Sequence, residues 1–325
     1  MIRLGILGTA RIAERFLAEK PTGLIISAIA SRDQKKAEHF SQKHSIPRSF
    51  GSYQALLDDP DIHAVYIPLP QHLHAEYVIK AADEGKHVLV EKPAALTVGE
   101  LMQMKKACSD NGVLFMEAFM YRFKLIHRRV REIVATKEIG SVRYIDFNWC
   151  FNIRELDRSP FRLKKEYGGG ALYDLGIYGI DFLRYLTSQE PVLLDAFIRR
   201  EEPRGVDMFV HSSFMIGDIF ATVTAGFDND ANSYTLCGEQ GSVHVPGSLS
   251  GRPVANVLQL HLLGGDRRAE ETFPPENPYI LELEYFAECI RHHRQPEPGI
   301  DNSIANLKII EEIFASARSI DRPSL

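Results

Sequence analysis

Apolar residues in the first part of the chain form short unbroken runs that alternate with segments of helical spacing. Unbroken runs of this kind are typical of strands buried on both faces of a parallel sheet. The segments between them repeat apolar residues at helical intervals. This alternation predicts a doubly wound parallel sheet, the Rossmann architecture. The predicted strands are 3–7, 24–30, 63–67, 87–90 and 113–116, and the predicted helices include 53–57, 75–83 and 99–111.

The pattern changes after residue 140 to apolar residues at every second position, which is typical of strands with one buried face. Successive segments of this kind are separated by turn residues rather than helices, so they predict an antiparallel sheet packed on helices. We therefore predict an α/β protein with a Rossmann domain over 1–120 and, over 121–325, an α/β domain that has a large, mostly antiparallel sheet. The predicted strands are 145–151, 194–200, 208–215, 221–227, 233–237, 242–245 and 257–263, and two closing helices are 279–291 and 302–318.

One segment of the second half combines glycines with polar side chains in a helical pattern. Gly168, Gly169 and Gly170 lead into an apolar-periodic stretch that predicts a helix over 171–186. On such a helix, Asp174 and Tyr178 stand four apart and share a face. The functional interpretation is a carboxylate and a phenol directed at one reacting carbon. The alternative is a buried tyrosine near a glycine-rich helix start.

Composition limits the class of protein. The length of 325 residues suffices for two domains, and a charged content of 25% with 45% hydrophobic residues is that of a globular chain. A net charge of -5 with interspersed signs predicts no nucleic-acid partner. No apolar run is long enough for a bilayer, and the first residues form a strand pattern rather than an export leader. We therefore expect a cytoplasmic protein that does not associate with membranes.

Cysteine and histidine positions give no metal-binding pattern. The four cysteines are far apart and form no CxxC pair, so they predict reduced thiols. His72 and His74, and the adjacent His292 and His293, lack the further ligands of a zinc site. We predict no metal.

The first predicted strand ends in a dinucleotide-binding motif. The segment Gly8-Thr9-Ala10-Arg11-Ile12-Ala13 follows the G-x-G-x-x-G/A pattern, with alanine at its second position. In this pattern the first glycine permits the tight turn and the second position admits a pyrophosphate close to the backbone. The second strand ends at Ser31-Arg32, where an acid would select NAD. An arginine there pairs with the 2′-phosphate of NADP, although it can also stack on adenine, so NADP is favoured and NAD stays open.

Two more segments follow predicted strands at the edge where open α/β sheets bind ligands. The first is Pro68-Leu69-Pro70-Gln71-His72-Leu73-His74 and the second is Glu91-Lys92-Pro93. The functional interpretation of Lys92 is a constrained lysine at the ligand, and the alternative is a solvated lysine. Arg154 and Arg162, in the loop before the glycines, either bind substrate hydroxyls or are surface arginines.

Taken together, five motifs resemble those of the Gfo/Idh/MocA family (glucose–fructose oxidoreductase, inositol dehydrogenase, MocA), and they extend over nearly the whole chain. Inositol-dehydrogenase-like members have histidine where this chain has Tyr178. With this tyrosine and the segment Glu117 to Phe123, the chain resembles the branch that contains NADP-dependent aldose dehydrogenases, dimeric dihydrodiol dehydrogenase and glucose–fructose oxidoreductase. The motifs are Gly8 to Ala13, Leu69 to His74, Glu91-Lys92-Pro93, Glu117-Ala118-Phe119-Met120-Tyr121-Arg122-Phe123 and Gly168 to Tyr178.

The resemblance implies a set of functional residues. Lys92, Asp174, Tyr178 and His74 are expected around the nicotinamide and substrate, and the Lys92–Pro93 peptide is expected to be cis. Independently of the resemblance, a broad apolar second face on the predicted C-terminal sheet would indicate a homodimer that forms through this sheet; the alternative is packing within the sheet. The implied cofactor contacts are Gly8, Thr9, Ala10, Arg11, Ile12, Ser31, Arg32, Leu69, Pro70, His74, Glu91, Lys92 and Arg122.

The expected reaction is hydride transfer from a hydroxyl-bearing carbon to C4 of NADP, with the anomeric carbon of an aldose such as xylose or glucose as donor. Tyr178 would take the hydroxyl proton, Lys92 would favour its phenolate, and Asp174 would orient Lys92. One alternative is oxidation of a trans-dihydrodiol or polyol by the same groups. Another is a catalytically idle NADP-binding regulator.

Overall fold

The computed structural model describes residues 1–153, 160–201, 205–247, 249–251, 255–265 and 267–319. It divides into two compact units. The first contains Met1–Met120 and Asn277–Ala305, and the second contains Tyr121–Glu276 and the chain from Asn306 on. The change of unit after Met120 lies at the predicted domain boundary, whereas Asn277–Ala305 belongs to the first unit and not to the C-terminal part. No helix in the described part of the chain is long and apolar enough to span a membrane.

A six-stranded sheet forms the centre of the first unit, and all its neighbouring strands are parallel. Its order is β3-β2-β1-β4-β5-β6, so the order reverses between β1 and β4. This is the Rossmann topology, and the predicted fold is confirmed. The strands are β1 (Ile2–Leu7), β2 (Leu24–Ala30), β3 (Arg48–Phe50), β4 (Ala64–Ile67), β5 (His87–Glu91) and β6 (Phe115–Ala118).

The sixth strand starts two residues later than predicted, at Phe115 rather than Val113. The reason is the turn after the preceding helix. Gly112 has a positive φ of 64°, and the N–H of Val113 donates to the Cys108 carbonyl at 3.0 Å, so Val113 still belongs to that turn. The helices between the strands are α1 (Glu14–Leu17), α2 (Gln34–His44), α3 (Tyr53–Leu57), α4 (His74–Asp83) and α5 (Val98–Asp110).

The second unit contains a nine-stranded sheet of order β14-β13-β12-β11-β7-β10-β9-β8-β15. Only the β7–β10 and β8–β15 pairs are parallel among the described strands, so the prediction of a mostly antiparallel sheet is confirmed. The strands are β7 (Val142–Cys150), β8 (Val192–Glu201), β9 (Val206–Ile216), β10 (Ile219–Gly226), β11 (Ala231–Gly238), β12 (Gly241–Pro246), β13 (Asn256–Leu262), β14 (Arg267–Phe273) and β15 (Arg318–Ser319).

Helices cover one face of this sheet. α6 (Leu125–Thr136) and α7 (Ile177–Thr187) both contact sheet strands. Gly179 lets α7 approach closely, because a Cβ there would lie 2.5 Å from Val223 and 2.8 Å from Phe147.

The last two long helices are α8 (Pro278–Arg291) and α9 (Ile300–Ser316). The side chain of Asn277 accepts a hydrogen bond from Tyr279 N–H, and Pro278 occupies the first turn of α8, both typical of a helix start. α8 packs against β1, β2 and α1, which explains why it belongs to the first unit.

Candidate active site

The loop after β1 has the geometry of a dinucleotide-binding turn. Gly8 has φ +106, and a Cβ on it would lie 2.9 Å from a Leu69 methyl group. Its N–H donates to the Ala30 carbonyl at 2.8 Å, which ties the loop to the end of β2. Ala13 is fully buried where the motif needs a small residue for close helix packing. These features fit a dinucleotide-binding loop in which Gly8 makes the tight turn between strand and helix.

The sheet topology brings the predicted ligand-facing loops to one edge. Because β1, β2, β4 and β5 are parallel, the loops after Leu7, Ala30, Ile67 and Glu91 all leave from the same edge of the sheet. The order reverses between β1 and β4, and nucleotides bind at such switch points. Thr9, Ala10, Arg11 and Ile12 lie in the first loop, Leu69 and Pro70 in the third, and Lys92 in the fourth.

Positive charge gathers at the end of β2. Arg32 is exposed and lies beside the Tyr53 hydroxyl. Burial raises the pKa of Tyr53, and the nearby Arg32 charge opposes that rise. The first turn of α2 contains no acid and carries the exposed Lys35 and Lys36. The side chain of Asp33 instead accepts from Lys36 N–H as the helix cap.

His74 supports the loops and does not face a ligand. It is fully buried, with Nδ1 2.9 Å from the Pro93 carbonyl and Nε2 2.7 Å from the Leu69 carbonyl. Two acceptors at one ring favour a charged imidazolium, but burial is the larger effect and lowers its pKa to about 4. The neutral ring then donates to one carbonyl and contacts the other. Both ring nitrogens thus face backbone carbonyls, so we assign His74 a supporting role for the loops.

The segment after β5 is held by buried side chains. The Lys92–Pro93 peptide is cis, as expected from the resemblance. Glu91 accepts a hydrogen bond of 2.6 Å from the Tyr66 hydroxyl, and the N–H of Ala94 donates to Glu117 at 2.8 Å. The backbone on both sides of half-buried Lys92 is therefore fixed.

In the second unit, the predicted helix over 171–186 begins irregularly. Residues Leu172–Gly176 form a π-helical turn, which runs directly into α7. The N–H of Ile177 donates to the Leu172 carbonyl five residues earlier, and π-helical turns of this kind are frequent at functional sites. The interval between Asp174 and Tyr178 spans this junction. The simple α-helical spacing argument for their common face therefore does not apply.

Asp174 forms an ion pair with the loop before the glycines. Arg162 Nε donates to Asp174 Oδ2 at 2.6 Å, and the guanidinium stacks over Phe161 at 4.8 Å. Asp174 is 5% exposed, so this bond replaces part of its hydration. Arg162 was expected at the substrate and in the structure orients Asp174. Arg154, the other expected arginine, lies outside the described residues.

Tyr178 lies among aromatic rings. Its ring is 4.5 Å from that of Trp149 in an edge-on arrangement and 5.9 Å from that of Tyr121, and the residue is 4% exposed. Such packing restricts the ring to one orientation. Asp174 and Tyr178 belong to the second unit, and Lys92 belongs to the first.

Arg122 was expected at the cofactor, but its described contacts anchor α7. Its Nε and one terminal nitrogen donate to the two oxygens of fully buried Asp181 at 2.8 and 2.6 Å. Tyr121 and Asn306 donate to the same carboxylate at 2.6 and 2.9 Å. Burial alone would raise the pKa of Asp181, but the Arg122 guanidinium and these donors hold it below its ordinary value.

Sequence reasoning missed the side chains that support the site. Asp181, Tyr66, Trp149 and Asp207 occupy positions that read as ordinary helix or strand residues. The one available signal of a supporting residue is an acid within a strand pattern, as at Asp207. Acids are rarely buried without a partner, so a buried acid indicates a structural or functional contact.

Two family models match the chain. Residues 2–119 match an oxidoreductase family with an NAD-binding Rossmann fold. Residues 127–244 match the GFO/IDH/MocA C-terminal domain.

Several known proteins are similar over most of the chain. D-xylose 1-dehydrogenase (NADP(+)) 2 of Haloferax volcanii is 34% identical, over 97% of this chain and 97% of its own length. A trans-1,2-dihydrobenzene-1,2-diol dehydrogenase of Xenopus tropicalis is 30% identical over 75% of each. The crystal structure of a 3-ketoreductase from Actinomadura kijaniata with NADP and TDP-benzene has a TM-score of 0.89 and 26% identity over 99% of both chains. The resemblance read from the motifs is thereby confirmed, and the chain belongs to the Gfo/Idh/MocA family of oxidoreductases.

Proposed function

We propose that this enzyme transfers hydride between C4 of NADP and a hydroxyl-bearing carbon of a sugar, with the anomeric carbon of an aldose such as xylose or glucose as the reacting atom. The observation that carries the proposal is that each unit holds its part of the motif set in a defined place. In the first unit Lys92 lies at the ligand-binding edge of a Rossmann sheet, and in the second a π-helical turn leads from Asp174 to Tyr178. The xylose dehydrogenase relative supports the substrate class.

NADP is the cofactor of this proposal. Two relatives are named for NADP or were crystallised with it. Within this chain, Arg32, Lys35 and Lys36 supply positive charge at the end of β2, and the nearby Asp33 caps α2 through the N–H of Lys36. A guanidinium there suits a phosphate better than a ribose hydroxyl.

The cofactor and the side chains have separate roles in hydride transfer, proton transfer and positioning. NADP accepts or supplies the hydride. Tyr178 holds the hydroxyl of the substrate and accepts its proton. A phenol in water titrates near about 10, so a tyrosine base needs a cation nearby, and Lys92 is the one we propose.

Asp174 completes the set. Its ion pair with Arg162 orients it, and we propose that Asp174 in turn orients Lys92 and restrains its charge. The rings of Trp149 and Tyr121 exclude water from the Tyr178 side chain, which strengthens electrostatic contacts to the substrate.

Oxidation of a trans-dihydrodiol is the second candidate, because the Xenopus tropicalis relative is named for that reaction. It would use the same residues. An idle NADP-binding regulator is the third, and the presence of both Lys92 and Tyr178 favours an enzyme over it. Purified protein mixed with NADP and a panel of aldoses, polyols and dihydrodiols, with NADPH followed by absorbance, distinguishes the three. We expect NADP to be reduced in the presence of aldoses. If no aldose of the panel reduces NADP, the proposal is contradicted.

Arg32→Ala should weaken NADP binding by roughly 10- to 100-fold, because a charge-assisted hydrogen bond to phosphate is worth about 1.5–3 kcal/mol. NAD binding should change by less than about 3-fold, since NAD lacks that phosphate. Fluorescence titration of both cofactors measures the two constants. The matched control is Arg3→Ala, which removes the same charge near the start of β1, at the opposite edge of the sheet. Equal losses for NADP and NAD would contradict the role of Arg32.

We also propose that the enzyme is a homodimer that forms through the open face of the nine-stranded sheet. Inward positions such as Ile145 and Ala221 are buried, whereas the outward Tyr144 and Asp146 are half-buried and Phe220 is exposed. Phe220 is 40% exposed and stacks on Tyr144, with ring centroids 6.1 Å apart. An exposed aromatic pair on a broad sheet face is typical of a protein interface.

Phe220→Glu should convert the dimer to monomers, because it places an unpaired charge in the proposed interface. Sedimentation velocity measures the species. Leu263→Glu is the control, since Leu263 is 59% exposed and lies in a turn outside the sheet. A dimer that persists in Phe220→Glu, or a monomeric wild type, would rule out this interface.

A further inference from the structure

A carboxylate on β9 binds the start of the turn that leads to Tyr178. Asp207 is 3% exposed, and its Oδ2 accepts a hydrogen bond of 2.6 Å from the N–H of Leu172, the first residue of the π-helical turn. The N–H of Ala171 also donates to it. A buried carboxylate needs such donors in place of its lost hydration. These bonds tie the strand to the turn.

Gly170 provides the space for this carboxylate. It has φ +125, and a Cβ on it would overlap the Asp207 carboxylate. Its N–H donates to the Arg162 carbonyl at 3.0 Å, and its carbonyl accepts from Asp174 N–H at 3.2 Å. The carboxylate therefore packs on the residue that joins the Arg162 loop to the Asp174 turn. Any side chain at this position would separate them.

The hydrogen-bond register of the turn connects Leu172 to Tyr178. The Leu172 carbonyl accepts from the N–H of Ile177, the residue before Tyr178, across five residues instead of four. A return to α-helical bonding would move each residue before the junction by one position, or about 100° around the axis, relative to α7. The register thus decides the direction of Asp174 relative to Tyr178. Asp207 binds the N–H of Leu172, the residue whose carbonyl makes the five-residue hydrogen bond.

We infer that Asp207 is a positioning residue for the reaction, which holds the π-helical turn in the register that directs Asp174 and Tyr178 at one reactant. The inference rests on the function proposed above for those two side chains. The charged groups around Asp207 are Arg200, which lies opposite it in the β8–β9 pair, and the Arg162–Asp174 ion pair of the adjacent turn.

The titration of Asp207 makes the role measurable. Burial raises its pKa to about 7, although the backbone N–H groups and Arg200 oppose the rise. Because the fold raises this pKa above the ordinary value for aspartate, protonation favours the folded turn, and the buried charge opposes it as the pH rises through about 7. The amide hydrogen bonds to the carboxylate offset part of that cost.

Asp207→Asn removes one of the two acceptor oxygens, because an amide has only one. Its kcat should be at least about 10-fold below wild type at about pH 8.5, where the wild-type carboxylate is charged, since one charge-assisted hydrogen bond is lost. KM and the NADP dissociation constant should stay within about 2-fold. Ser212→Ala, which removes a buried hydroxyl from the same strand, should leave kcat unchanged at the same pH.

Amide hydrogen exchange tests the same inference without a substrate. After correction for intrinsic rates, the Leu172 and Ile177 amides should exchange at least about 10-fold faster in Asp207→Asn than in wild type at about pH 8.5. In wild type the corrected rates should rise between about pH 6 and about pH 8.5, because the buried charge opposes the closed turn. The wild-type comparison tests the inference if the variant does not fold, and the exchange data test it if wild type oxidises no compound. Unchanged protection of both amides in the variant, or corrected wild-type rates that do not change with pH, overturns the inference.

Discussion

Tyr178→Phe should lower kcat by roughly 100- to 10,000-fold, the usual contribution of a general acid or base. The substitution keeps the ring that packs against Trp149 and Tyr121, and it removes only the hydroxyl group. NADP binding should therefore remain within about 3-fold of wild type, because the nucleotide-binding loops belong to the other unit. Steady-state kinetics on the best substrate of the panel, with cofactor titration, measures both quantities.

Tyr185→Phe is the matched control for this experiment. Tyr185 lies on the same helix, and its ring packs between the guanidinium groups of Arg122 and Arg131 at 5.1 and 4.9 Å. Those contacts need the ring and not the hydroxyl, so kcat should be close to wild type. If Tyr178→Phe also retained near-wild-type kcat, Tyr178 would be a packing residue and the proton acceptor would lie elsewhere.

Lys92→Ala has the second largest expected effect, a loss of roughly 100- to 1,000-fold in kcat, because the proposed tyrosine base loses the cation that stabilises its phenolate. The remaining activity should rise with pH further into the alkaline range than that of wild type, since an unassisted phenol ionises only near about 10. A pH profile of kcat for both proteins provides the measurement.

Lys80→Ala controls for the removal of a lysine from the first unit. Lys80 is exposed on α4 and pairs with Glu76 at 2.6 Å, a surface ion pair of small energetic value. It should leave the pH profile unchanged. A Lys92→Ala profile that is uniformly lower but has the wild-type shape would show that Lys92 contributes binding or packing and not activation of Tyr178.

Local patterns predicted most of the scaffold of the first unit, because most of its strands and helices are specified by their own residues; the short strand β3 was not predicted. The run Leu24–Ala30 is apolar throughout and forms β2 with the predicted bounds. The predicted helix 53–57 is also as observed, because the Ser52 side chain caps it. β14 was missed because Arg267–Phe273 is mostly charged and exposed, and only pairing with β13 makes it a strand.

The candidate site was harder to predict, since its geometry depends on distant partners. The motifs located Lys92, Asp174 and Tyr178. No local pattern indicated that His74 is enclosed by two carbonyl groups, or that a π-helical turn precedes α7. Both depend on tertiary contacts, and the second depends on Asp207, more than thirty residues further along the chain.

The central claim is that Lys92 and Tyr178 act as one proton-transfer unit, and the kcat of the double variant tests it most directly. Wild type, Lys92→Ala, Tyr178→Phe and the combination are compared on one substrate at saturating NADP. Residues that act as a unit are strongly non-additive, so the double variant should lie within about 3-fold of the slower single variant. If the two losses multiply instead, the residues act independently and the account is contradicted.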